Sequence, residues 1–92
     1  MAKITFKKGS TPYTLHTHFS LGGSFTYDEA YQKDIRHLSQ RIADLKSKFL
    51  EAGIKDLIMV IDEPNERGGF HARYFYRGYG CLLENKDGAR VY

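Results

Sequence analysis

Residues 26–53, TYDEAYQKDIRHLSQRIADLKSKFLEAG, hold the pattern that decides the fold class. Apolar side chains fall at Tyr31, Ile35, Leu38, Ile42, Leu45, Phe49 and Ala52, in alternating steps of four and three. That spacing lines one face of an α-helix. Thr26 and Glu29 make a capping box at its start: a hydroxyl for the amide three residues on, and a carboxylate to reach back. Asp28 and Glu29 lie where the positive end of the helix dipole favours acids. Gly53 supplies the left-handed residue that ends such a helix. One long helix is expected here, with its stripe laid on a sheet.

Outward from the helix the periodicity changes. Leu57-Ile58-Met59-Val60-Ile61 is apolar on both faces and reads as an inner strand covered on both sides. Asp62 to Gly69 reads as a loop, Phe70 to Arg77 as a strand, and Tyr79 to Glu84 as another. Asn85-Lys86-Asp87-Gly88 is hairpin-turn chemistry leading into a short last strand, Ala89 to Tyr92. Before the helix, residues 3–8 alternate, with Ile4 and Phe6 opposite Lys3, Thr5 and Lys7. Gly9-Ser10-Thr11-Pro12 reads as a turn, and Tyr13 to Ser20 alternates again, which predicts a hairpin. The expected fold is α+β: a single antiparallel or mixed sheet of four to five strands with one long amphipathic helix packed across it, in the order ββαββ. Residues 1–92 make one compact domain, since a chain this short has no room for a second core.

Charge and cysteine use narrow the class. The single cysteine, Cys81, excludes an internal disulfide, and small secreted domains usually depend on several. A reducing cytoplasm is the expected compartment. The longest aliphatic run, Leu57 to Ile61, is far too short to span a membrane. The net charge of +3 resides in residues 1–24, which hold three Lys and no acid. Residues 25–56 balance six bases with six acids, and residues 57–92 balance five with five.

His16 and His18, with Cys81, are possible metal ligands, but no four-ligand spacing accompanies them, so no metal is expected. Cys81 lacks any feature that would lower a thiol pKa and reads as a core cysteine. Asp62 and Glu63 point to opposite faces of a strand and make a poor acid–base pair; they read as solvated loop charges. The remaining feature is Gly69 to Gly80, where Arg and aromatic residues interleave without an acid. Arg73, Phe75 and Arg77 share one strand face, and Phe70, Tyr74 and Tyr76 the other. Guanidinium groups pair with phosphate or carboxylate, and flat aromatics stack on bases or anchor protein interfaces.

Two resemblances follow. Ser47-Lys48-Phe49, Gly53-Ile54-Lys55-Asp56-Leu57 and Arg77-Gly78-Tyr79-Gly80-Cys81-Leu82 resemble the middle of an RNA-recognition motif. Cys81 and Glu84 stand where that family carries two further aromatics, and only eight residues follow Glu84. In size, single-sheet design, lack of catalytic residues and a surface rich in Arg, Lys and Tyr, the whole chain resembles small phage-encoded anti-CRISPR proteins, in particular inhibitors of the type I-F surveillance complex. That resemblance implies a stoichiometric inhibitor that docks on a CRISPR ribonucleoprotein in the bacterial cytoplasm and obstructs target-DNA hybridisation.

The sequence therefore predicts a non-enzymatic binding protein with no cofactor, no small-molecule substrate and no membrane, monomeric rather than dimerised through its helix. The alternative is a free single-stranded RNA or DNA binder. The expected contact residues are Lys7, Lys8, Arg67, Arg73, Tyr74, Tyr76, Arg77 and Tyr79.

Overall fold

A computed structural model describes residues 4–86 and 88–92 of the chain. The fold is α+β, with one open antiparallel sheet and helices. Four strands, β1 (Ser24–Thr26), β2 (Ile58–Pro64), β3 (Phe70–Tyr76) and β4 (Arg90–Val91), form a sheet in the order β1-β3-β2-β4. Every neighbouring pair is antiparallel. Around them lie α1 (Thr11–Ser20), α2 (Tyr27–Gln32), α3 (Leu38–Glu51) and the single turn α4 (Cys81–Glu84). No helix among the described residues is long and apolar enough to cross a membrane.

The inner-strand reading of Leu57 to Ile61 holds. β2 lies between β3 and β4, and Ile58 through Ile61 are all buried. Register sorts them: Ile58 and Val60 face Tyr76 and Tyr74 across the ladder, while Met59 and Ile61 face Phe75 and Arg73. The first set joins the main core with Leu15, Phe19, Phe25, Leu38, Ile42, Leu45 and Phe49. The second forms a smaller cluster, Met59, Ile61 and Phe75, packed under Leu83 and Ala89. Both sheet faces are covered, one by helices and the other by the crossover from β3 to β4.

Several expectations are corrected. Residues 13–20 are helical, not a strand. Ser10 caps α1, its Oγ accepting from the Tyr13 N–H at 3.3 Å, and Pro12 pre-sets the first turn. Leu15 and Phe19 are four apart, a spacing that fits strand alternation and a helical face equally; both are fully buried. Ile4 and Phe6 pack against the core from an irregular segment, so no N-terminal hairpin forms. Lys3 of the expected first strand lies outside the described residues.

The long helix is two helices. The capping box at Thr26 and Glu29 is present, but α2 stops at Gln32. Asp34 takes φ 63°, its N–H bonds to the Tyr31 carbonyl, and the Ile35 N–H bonds to the Ala30 carbonyl at 2.9 Å. This is a Schellman stop written with Asp in the place usually held by Gly. His37, also at positive φ, then opens α3. The stripe survives the break, since Ile35, Leu38, Ile42, Leu45 and Phe49 are all buried; only Tyr31 is turned out to solvent. Each of those buried side chains contributes about 1.5–3 kcal/mol relative to exposure. The stop expected at Gly53 has the same two-bond pattern, Gly53 N–H to Leu50 and Ile54 N–H to Phe49.

Tyr79 to Glu84 is not a strand. Gly78 at φ 82° turns the chain, the Tyr79 and Gly80 N–H groups both bond to the Tyr76 carbonyl, and α4 follows. Gly80 lies so close to the Phe75 ring that a Cβ there would stand 2.7 Å from it. Cys81, expected in the core, is exposed.

Candidate functional site

The densest polar arrangement gathers side chains from β1, β2, β3 and α2, with Lys86 from beyond α4. Arg73 donates from Nε to Glu63 Oε1 at 2.8 Å, and from Nη1 and Nη2 to the two Glu29 oxygens at 2.9 and 3.0 Å. Nη1 also reaches Ser24 Oγ at 2.9 Å. His71 Nε2 donates to Glu63 Oε2 at 3.3 Å, and Lys86 Nζ lies 3.7 Å from Glu63 Oε1. The register explains the gathering. Glu63 pairs with His71 and Ile61 with Arg73, so the three polar side chains rise from one face at adjacent positions. The capping carboxylate of α2 reaches the same point, because Glu29 Oε1 also accepts the Thr26 N–H at 3.3 Å.

Burial pushes the Glu63 carboxyl up, but hydrogen bonds from Arg73 and His71 and the charges of Arg73 and Lys86 outweigh it, leaving it below its ordinary value. For Arg73 burial acts to lower the pKa, and the two carboxylates more than reverse it. Asp62 is exposed and pairs with Arg90 at 2.9 Å, as a solvated charge; Glu63 is not one, and that expectation is corrected.

A cleft of about 520 Å³ opens beside this network, between Tyr27, Asp28 and Gln32 of α2 and Asn65, Glu66 and Arg67 of the β2–β3 turn. Its inner charges are already paired with one another, so Arg73 offers no free guanidinium to a ligand.

The two histidines of α1 are parted by helical geometry. Two residues along a helix turn by about 200°, so His16 and His18 face different partners. His16 Nδ1 lies 3.1 Å from the Tyr76 hydroxyl among the rings of Phe6, Phe49 and Tyr76, and burial lowers its pKa. His18 stacks on Phe25 at 4.0 Å and donates from Nε2 to the Ser24 carbonyl at 2.8 Å. Among the described residues, no three His, Cys, Asp or Glu side chains converge as metal ligands.

The eight expected contact residues do not form one surface. Tyr74 and Tyr76 are buried in the main core, and burial raises the Tyr76 hydroxyl pKa. Arg73 is a cross-strand clamp. Lys7 and Lys8 are exposed just before α1, Arg67 is exposed on the β2–β3 turn, and Arg77 and Tyr79 share the exposed turn after β3. Arg67 and Arg77 flank the seven-residue β3, a separation of about 20 Å or more at strand rise.

No family model, curated protein or solved structure matches the chain.

What the sequence reading missed follows from long-range pairing. Glu29 reads locally as a helix cap, yet its carboxylate goes to a residue 44 positions away. The one available signal was Arg73 itself, an Arg on a strand face with Glu63 one hairpin away. Leu21 and Leu82 were not singled out at all, and both are largely exposed.

Proposed function

We propose that this chain is a non-enzymatic inhibitor that docks on a CRISPR guide-RNA–protein complex and blocks its hybridisation with target DNA. The observation that carries the reading is a division of labour among the cations. Arg73, Arg90 and Lys86 are paired with acids of the fold, while Lys7, Lys8, Arg67 and Arg77 are exposed and, among the described residues, make no ion pair. These four stand on loops and turns, where a partner's carboxylates or guide-RNA phosphates can meet them at little desolvation cost. Tyr74 and Tyr76 supply the core, so the reading does not call on them for stacking.

The test is a gel shift of labelled target DNA by a purified type I-F guide complex, with and without the protein, beside a lane of protein and nucleic acid alone. The expected result is loss of the shifted complex and no shift by the protein alone. An unaffected complex overturns the proposal, and a salt-sensitive shift by the protein alone moves the function to nucleic-acid binding.

A further inference from the structure

Two loops far apart in sequence lie against each other at one end of the sheet. Gly22, at φ 87°, lies against the turn after β3 so closely that a Cβ would be 2.9 Å from the Tyr79 carbonyl oxygen. The turn is fastened from within as well: the Gly78 N–H donates to Glu84 Oε1 at 2.7 Å, and the Tyr79 and Gly80 N–H groups each meet the Tyr76 carbonyl at 3.2 Å. Gly80 is wedged on the fully buried Phe75 ring. Yet this fastened corner holds apolar side chains out in water: Leu21 is 83% exposed, Leu82 81% and Tyr79 55%. Large exposed apolar groups on a well-anchored turn mark an interaction site, because the ordering cost of binding has been met in folding.

Resting on the function proposed above, we infer that Leu21, Tyr79 and Leu82 form a preformed plug that seats in an apolar, acid-rimmed recess on a protein subunit of the target complex. Charge selects this occupant. Arg77 borders the plug and has no ion-pair partner among the described residues, while the neighbouring Glu84 carboxylate is committed to the Gly78 amide. A carboxylate on the partner therefore completes the patch. A second copy of this chain, docked plug to plug about a two-fold axis, sets Arg77 against Arg77 and is disfavoured. Nucleic acid makes poor use of two leucines, which neither stack on bases nor bond to phosphates.

The protein carries its own probe. Cys81, its single cysteine, is exposed between Tyr79 and Leu82. A maleimide–benzophenone attached there, followed by ultraviolet irradiation of the complex with the purified type I-F guide assembly, reports what covers the plug. The expected result is a crosslink to a protein subunit, with Leu21→Ser, Leu82→Ser and Arg77→Glu each weakening binding tenfold or more at unchanged thermal stability. Loss of binding on labelling, at unchanged stability, supports the inference in the same way. Crosslinks confined to guide RNA or to a second copy overturn it. So do retained binding without a crosslink and affinities of the three variants within twofold of the parent. Absence of any binding by the unlabelled protein is a separate result: it removes the functional reading, and the named partner with it.

Discussion

Replacing Arg73 by Met distinguishes a structural clamp from a contact residue. Met keeps the apolar stem and removes three charge-assisted hydrogen bonds to Glu29 and Glu63, together with the one to Ser24. Glu63, only 20% exposed, is left with the more distant His71 and Lys86. Glu29, at 43% exposed, is readily rehydrated. Breaking a fully buried pair costs about 3–5 kcal/mol and an exposed one about 0–1 kcal/mol. This network lies between those limits, so we expect a loss of about 2–3 kcal/mol. For a domain of this size that lowers Tm by about 8–20 °C. Thermal unfolding followed by circular dichroism measures it, with Arg41→Met as the control, because the exposed Arg41–Asp44 pair at 3.9 Å contributes little. A double-mutant cycle with Glu29→Gln should return a coupling of about 1 kcal/mol or more. A Tm change under about 2 °C, or additive single effects, refutes the clamp and returns Arg73 to the list of partner contacts.

Asp34→Gly tests the break between α2 and α3 by its sign. In a continuous helix Gly costs about 1 kcal/mol, whereas here it relieves a left-handed Asp and removes an acid from a helix C-terminus, for a gain of about 0.5–1 kcal/mol in urea unfolding. Gly80→Ala should cost about 1–3 kcal/mol in the same assay, because its Cβ meets the immobile Phe75 ring. Between pH 7 and 4 stability should fall with acid. His16 has a folded pKa below its ordinary 6.5, so the unfolded chain takes up the extra proton and the contribution, full above 6.5, is lost as pH drops through the folded value. Glu63, held below 4.5, adds a second loss at still lower pH. His16→Phe should flatten the first step while lowering stability at pH 7, since the buried Tyr76 hydroxyl loses its partner; an unchanged pH profile counts against this assignment.

Legibility in the sequence tracked how local the deciding interaction was. The α3 stripe, the Gly53 stop, the Thr26–Glu29 box and the double-sided β2 all depend on neighbours within a few residues, and each is present. The Asp34 stop is equally local but uses a residue that tolerates positive φ without being chosen for it, so composition does not announce it. At α1 the apolar spacing of four was compatible with two periods, and the decision lay in Ser10 and Pro12, a cap followed by a first-turn proline. Tyr79 to Glu84 reads as a short strand, and only Gly78 before it and Gly80 within it argue otherwise. The candidate site was the least legible part. Whether Arg73 faces a partner or a carboxylate of its own fold depends on where α2 docks, a tertiary fact with no sequence period.

Charge shows the same distinction in a form that bears on function. Counted along the chain, residues 57–92 are neutral, with five bases and five acids, and on that count offer nothing to an anionic partner. Counted by pairing, Asp62 is taken by Arg90, Glu63 by Arg73, His71 and Lys86, and Glu84 by a backbone amide. Among the described residues Arg67 and Arg77 are left over at the two ends of β3, together with the exposed Glu66 beside Arg67, and Lys7 and Lys8 stand before α1. Lys7, Lys8, Arg67 and Arg77 stand on loops and turns, and at one of these Arg77 adjoins the fastened corner carrying Leu21, Tyr79 and Leu82. A cation on a rigid apolar projection discriminates better than charge alone, since it requires shape and a carboxylate at once.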